Sequence, residues 1–305
     1  VRRDEEPGRG GERGGDDEPG GARGRDQERG GARAEGAGPF TTRLTWRSAE
    51  GGTAVWESRA VRKLGALTVR TAHEAEAVLR PADRQTLARL RRLNTLTAIA
   101  FTVGGALFAA GAALAIAAPG EAVATTVTYF TGGLFFNTGG YVSLLQTLNA
   151  PRRSADGDRL EPVPWRWWSY EPMRIDWLGT FLLFAGTLVF GVNLLDSFLQ
   201  GLTTQQAARL VWAPDVIGCV LFLISGQLAL AEVCHGRSGI RVHDLGWWIV
   251  AVNLAGSALF MLAAVADLVT PGSESPVSLA VANWCTLAGA LCFAGAGVLQ
   301  GFEHP

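Results

Sequence analysis

Asn193, Asp196, Asp215 and Asp267 carry the most pointed chemistry in this chain. Each lies within or at the end of a long apolar stretch, where an ionisable side chain is a functional hypothesis by default. Asn193 and Asp196 are three residues apart and share a helical face. Convergence of the four would make an outward-facing vestibule for a cation or a proton. However, the three aspartates fall near predicted outer ends of spans, where solvation alone accounts for them. No carboxylate lies at mid-depth to relay a proton. Glu232 and Glu303 fall near the inner ends. The deeper polar groups are amides, Asn137, Asn193, Gln227, Asn253 and Asn283, of the kind that hydrogen-bond across helices and fix packing.

Other chemistry is thin. Glu232, Cys234, His235 and His243 could be assembled into a metal site at the inner face, but their spacing fits no common template. Cys219, Cys234, Cys285 and Cys292 form no CxxC pair and read as small apolar residues in or beside spans. His73, His235, His243 and His304 all lie outside the hydrocarbon, which argues against a haem-bridging bundle. No Walker lysine motif, HExxH or GxSxG occurs, and Gly295-x-Gly297-x3-Gly301 fails the dinucleotide spacing. No catalytic residue, cofactor or metal is therefore expected, and the protein is read as non-enzymatic.

The elements that would position these groups are six apolar stretches, near 95–118, 122–148, 177–200, 211–233, 245–269 and 277–301. A helix rising about 1.5 Å per residue needs roughly 20 apolar residues to cross the hydrocarbon, so each is read as a span. Arginine placement sets their direction. The approach to the first span holds Arg59, Arg62, Lys63, Arg70, Arg80, Arg84, Arg89, Arg91 and Arg92, and the loops after the second and fourth spans are also basic. The opposite connections carry only Arg209. The positive-inside rule places both termini in the cytoplasm of a plasma-membrane protein. Trp165, Trp167, Trp168 and Tyr170, in the block PWRWWSYEP, suit the headgroup level. Lys63 is the only lysine among 27 basic residues, which suggests a high-GC bacterial source.

Before the spans, residues 1–39 read as a disordered tail rich in glycine, arginine and acids. Its RGG triplets are offset by ten acids against eight arginines, so no nucleic acid is expected as a partner. Residues 40–80 read as a small cytoplasmic β segment, with Leu44-Thr45-Trp46 and Ala54-Val55-Trp56 as a hairpin and Leu67-Thr68-Val69 as a third strand. Residues 81–94 read as a basic juxtamembrane helix starting near Pro81. Three transmembrane hairpins follow, at 95–148, 177–233 and 245–301, with 149–176 as a cytoplasmic loop. The fold class is thus an all-α membrane protein of six helices, preceded by the tail and the β-hairpin segment.

Every span carries glycine four residues before phenylalanine: Gly104/Phe108, Gly132/Phe136, Gly186/Phe190, Gly218/Phe222, Gly256/Phe260 and Gly289/Phe293. A small residue follows four later in all but the third span, which has Leu194. Helices in lipid approach through small residues and pack a large one between backbones, so this is read as a helix-packing motif. Gln146, Glu232 and Glu303 recur at one phase in the even spans, six residues beyond Gly140, Gly226 and Gly297. The phasing predicts three parallel copies of a two-helix hairpin.

Runs such as GGLFFNTGGYVSLLQ and PDVIGCVLFLISGQLALAEV resemble YrhK-like membrane domains, over roughly residues 98–303. The resemblance implies small two-span units of bacterial membranes and supplies no catalytic residues. The reading is a scaffold, interaction or regulatory component in the lipid bilayer, working as a homo-oligomer or with a membrane or cytoplasmic protein partner. The alternative is a channel or transporter for a small ion or solute.

Overall fold

A computed structural model of the chain describes residues 28–29, 32–48, 51–70, 77–154, 157–199, 201–237, 239–268 and 277–303. Most of the expected tail, 1–27 with 30–31, lies outside these residues. The described part consists of a β-sheet head and a bundle of long helices.

The head is a six-stranded antiparallel meander in chain order: β1 (Glu28–Arg29), β2 (Ala32–Ala37), β3 (Phe40–Arg47), β4 (Thr53–Glu57), β5 (Ala66–Arg70) and β6 (Val78–Pro81). The expected hairpin is β3–β4, in the register Leu44 to Trp56, Thr45 to Val55 and Trp46 to Ala54. Its turn is closed by the Ser48 N–H donating to the Gly52 carbonyl at 2.8 Å, with Gly51 at φ 85°. Leu67, Thr68 and Val69 fall within β5.

Three features of the head depart from the sequence reading. Ala32–Ala37, assigned to the tail, form β2, because pairing with β3 supplies backbone partners that the segment's small side chains do not advertise. Pro81 starts no helix; it ends β6 opposite Ala66, and an edge strand tolerates its missing N–H. The next helix instead begins at Arg84, where the Asp83 carboxylate accepts from the N–H groups of Gln85 (2.9 Å) and Thr86 (3.0 Å) as an N-cap. Finally, a helix that the sequence reading did not anticipate interrupts the sheet between β4 and β5. This helix, α1 (Ser58–Leu64), ends on Gly65, whose φ of 61° is the left-handed conformation of a C-cap. A Cβ there would meet Leu87 Cδ2 at 2.8 Å, so α1 sits hard against the bundle.

The bundle contains α2 (Arg84–Ala117), α3 (Ala122–Leu148), α4 (Ile175–Asp196), α6 (Ala213–Val233), α7 (Leu245–Ala266) and α8 (Leu279–Gly301). The short α5 (Thr204–Ala207) and a π-helical turn, Ala208–Trp212, lead into α6. A two-stranded ribbon, β7 (Arg152–Arg153) with β8 (Leu160–Glu161), lies between α3 and α4. Packing runs α2–α3–α4–α6–α7–α8 and returns to α2, which closes the six into a ring. Among the described residues five helices are long and apolar enough to cross a membrane: α2, α4, the continuous Gln205–Val233, α7 and α8. That is the pattern of a multi-pass membrane protein. Although 27 residues long, α3 is not one of the five. It carries many glycines and threonines, and the hydroxyls of Thr126, Thr128, Thr131 and Thr138 each donate to the carbonyl four residues earlier.

The glycine–phenylalanine pairs meet reciprocally. A Cβ on Gly104 would lie 2.8 Å from the Phe136 ring, and one on Gly132 2.8 Å from the Phe108 ring. Gly186 faces Phe222 at 2.8 Å and Gly218 faces Phe190 at 3.4 Å. Gly256 faces Phe293 at 3.2 Å and Gly289 faces Phe260 at 2.5 Å. Each glycine therefore leaves the space its partner's phenylalanine occupies. The rings of Phe108, Phe190 and Phe260 form a triangle with centroids 5.6, 6.1 and 6.1 Å apart. Phe136, Phe222 and Phe293 lie against them at 5.2, 6.1 and 5.2 Å. Rings at these spacings are in edge or offset contact. Together they close the centre of the ring of helices.

Candidate functional site

The head meets the bundle through α1. Its sequence SRAVRKL places Arg59, Arg62 and Lys63 at i, i+3 and i+4, on one face. That face turns toward the carboxyl ends of α3, α6 and α8, whose unpaired carbonyls give those ends a partial negative charge. Each cation takes its own acceptor. Arg59 donates through Nε (2.9 Å) and Nη2 (2.7 Å) to the two carboxylate oxygens of Glu303, just beyond α8. Arg62 Nη2 donates to Glu232 Oε2 in the last turn of α6 at 2.7 Å. The ammonium of Lys63 donates to Gln146 Oε1 in α3 at 2.8 Å and to Asn94 Oδ1 in α2 at 2.9 Å. Gln146, Glu232 and Glu303 are the three residues that recur at one phase in the sequence.

Surrounding bonds hold the acceptors in place. Ser58 Oγ donates to Glu232 Oε1 at 2.6 Å, so that carboxylate is engaged at both oxygens. Asn94 Nδ2 donates to the backbone carbonyls of Gln300 and Glu303, and Gln300 Nε2 returns a bond to Asn94 Oδ1 at 3.1 Å. Arg62, Lys63, Asn94, Gln146 and Glu232 are all buried. A charge-assisted pair out of water depends on such surrounding bonds to offset its desolvation. On the sheet side, His235 Nδ1 lies 3.1 Å from Thr42 Oγ1, and its Nε2 lies 3.5 Å from Glu57. His235 has φ 52°, a backbone conformation uncommon outside glycine.

The titration of these groups follows from burial and neighbours. Burial pulls the Glu303 carboxyl upward, but Arg59, Lys63 and Arg62 outweigh it and hold it below its ordinary 4.5. Burial opposes the charge on Arg59 too, yet Glu303 and Glu232 leave it raised. For Lys63 burial, with Arg62 and Arg59 adding to it, outweighs the pull of Glu303 and Glu232 and pushes it well below the ordinary 10.5. A carboxylate depressed in the folded state contributes stability in full above its unfolded value and loses it as pH falls through the folded value. Unfolding titrated downward from neutral pH should therefore show an acid-side loss below about pH 4.5. Glu303→Gln should lower neutral-pH stability and flatten that slope, as chemical denaturation at stepped pH would register.

At the other end of the bundle, Asn193, Asp215 and Asp267 line one cavity of about 210 Å³ whose wall includes Phe108, Phe190 and Phe260. Asn193 Nδ2 also donates to the Val211 carbonyl at 2.7 Å. Asp196 does not line that cavity. It lies in the last turn of α4 and is half-buried elsewhere, because three residues of helix offset it sideways from Asn193 as well as sharing part of a face. The residues weighed as metal ligands are dispersed among other tasks: Glu232 with Arg62, His235 with Thr42, and Cys234 near the Gly239 carbonyl at 3.7 Å.

The sequence reading missed α1. Its cations were legible only as part of the positive-inside bias, and seven residues are too few to show a helical period. The usable signal was the match in number between three cations on one helical face and three phased acceptors. No protein-family model, curated protein or solved structure matches the chain.

Proposed function

We propose that this is a bacterial plasma-membrane protein of the YrhK-like kind, whose six helices all span the bilayer as three copies of one glycine–phenylalanine hairpin. It is non-enzymatic, and it acts as a scaffold or regulatory component that holds its head at a fixed position over the closed bundle. Both termini lie in the cytoplasm, and the head docks there with a second copy of the chain or another protein. The carrying observation is the three-point lock: one face of α1 engages the carboxyl ends of α3, α6 and α8, one from each hairpin. Support for α3 as a span comes from its place in the ring between α2 and α4 and from hydroxyls that satisfy themselves on its own backbone. Support for a closed bundle comes from the six phenylalanine rings at its centre.

A second reading, a small-ion or small-solute pathway, draws on the cavity where Asn193, Asp215 and Asp267 meet. That pathway would require the phenylalanine layer to part. Flux in proteoliposomes distinguishes the two. The full chain should pass sodium, potassium, chloride and protons no faster than empty vesicles do. Flux lost on Asp215→Asn would establish the second reading and remove the first.

A further inference from the structure

Beneath α1, between the lock and the phenylalanine core, lies a half-open cavity, a chamber of about 90 Å³. A cavity holds a water once it has roughly 10–15 Å³ of probe-occupied volume, so this one has room for several particles of that size. Charges of both signs gather around it. The face of α1 brings three cations, Arg59, Arg62 and Lys63, against Glu303 and Glu232, and the Asp244 carboxylate also acts on Arg59. Asp176 also lines the chamber, but Arg174 holds it at 2.6 Å and the Trp177 N–H donates to it at 2.9 Å. Among the described residues, Lys63, 3% exposed, donates to the neutral amide oxygens of Asn94 and Gln146 and has no carboxylate within ion-pairing distance.

The lining also offers unused donors. Arg62 is 5% exposed, and its buried Nε–H has no hydrogen-bond partner among the described residues. A buried N–H left without an acceptor costs about 1–3 kcal/mol, more when the group is charged. The side chains of Ser143 and Asn253 line the chamber with no hydrogen bond to the described residues, and Gln300 commits one amide N–H to Asn94. The remaining wall includes the apolar Phe101, Ile249 and Val250 and the hydroxyls of Thr180 and Ser225, which donate to the carbonyls of Asp176 and Gly179. A buried ammonium bonded to neutral amides, spare N–H and O–H donors and a small volume suit a compact anion that brings acceptors and no donors. Cations are excluded by the guanidinium and ammonium groups, and a bulky organic anion by the volume.

We infer that the chamber is a binding site for a monovalent inorganic anion of the halide class, held between Arg62, Lys63 and the Ser143 and Asn253 side chains. The burial that pushes Lys63 well below its ordinary value is the cost such an anion offsets. This site goes beyond the scaffold reading and does not depend on it. The competing arrangement is an uncharged Lys63 with water alone in the chamber.

The test uses the full chain in detergent, unfolded by heat in sodium chloride or bromide and in sodium gluconate at equal ionic strength. A halide bound only by the folded state should raise the unfolding temperature by a shift that grows with the logarithm of concentration above Kd. Ser143→Val and Asn253→Leu should keep the gluconate value and lose most of the halide shift. Lys63→Met should lose it entirely, and if that variant does not fold, the two wall variants still decide. Crystals grown in bromide should show anomalous density between Arg62 and Lys63. Equal unfolding temperatures in halide and gluconate, or a halide shift that survives both wall substitutions, would overturn the assignment.

Discussion

Replacing Glu232 by alanine should destabilise the protein by about 3–5 kcal/mol, the range for removing one partner of a buried ion pair. The pair it breaks is almost wholly out of water, with side-chain exposures of 6% for Arg62 and 2% for Glu232. Arg62 would be left buried without a counter-charge, and Ser58 Oγ would lose its acceptor at 2.6 Å. The effect should concentrate at the head, because Glu232 anchors α1 to the bundle while the phenylalanine core lies elsewhere. Denaturant unfolding of the full chain should therefore gain an early phase reported by Trp46 and Trp56, which sit in β3 and β4. The double substitution Arg62→Met with Glu232→Met should recover much of the loss, since replacing both charges by apolar groups removes the desolvation cost as well. A single-substitution effect below about 1 kcal/mol, the scale of an exposed pair, would mean that the pair is open to water.

Phe108→Ala should be the most damaging change inside the bundle. Its ring touches those of Tyr129, Phe136, Phe190 and Phe260, with centroids 5.3, 5.2, 5.6 and 6.1 Å away. Phenylalanine-to-alanine changes in protein cores cost about 3–5 kcal/mol. Here the lower end, about 3 kcal/mol, is expected, because lipid is itself apolar and only the lost packing counts. The substitution also enlarges the cavity that Phe108 walls together with Asp215 and Asp267. Titration of the full chain with a denaturing detergent would measure the loss. The substitution Gly132→Leu should act on the same contact from the opposite side, since even a Cβ there meets the Phe108 ring at 2.8 Å.

The parts of the fold that were legible share a physical origin. The glycine–phenylalanine register was visible because close helix approach demands a missing side chain at a fixed offset from a large one, and that demand leaves a spacing in the chain. The β3–β4 hairpin was visible because its alternating residues flank a glycine turn. What stayed hidden depends on partners distant in sequence. Ala32–Ala37 carry little strand character of their own and become β2 through pairing with β3. Pro81 reads as a helix start until its pairing with Ala66 in β5 is known. Arg62 and Glu232 are 170 residues apart, so their pairing has no local signature. Asp196 looked like a companion to Asn193 by spacing, yet only Asn193 reaches the cavity.

Hydrogen exchange across residues 58–64 of the full chain in lipid nanodiscs tests the central claim, that α1 locks the head to the ends of three helices. A seven-residue helix has almost no stability alone, since isolated helices shorter than about 12–15 residues are marginal in water. Protection there reports the lock and little else. Exchange should be as slow in α1 as in the strands beside it, and much faster there in Glu232→Ala with the bundle still protected. Rapid exchange of 58–64 in the unaltered protein would contradict that claim, because the head would then be tethered to the bundle without being fixed there.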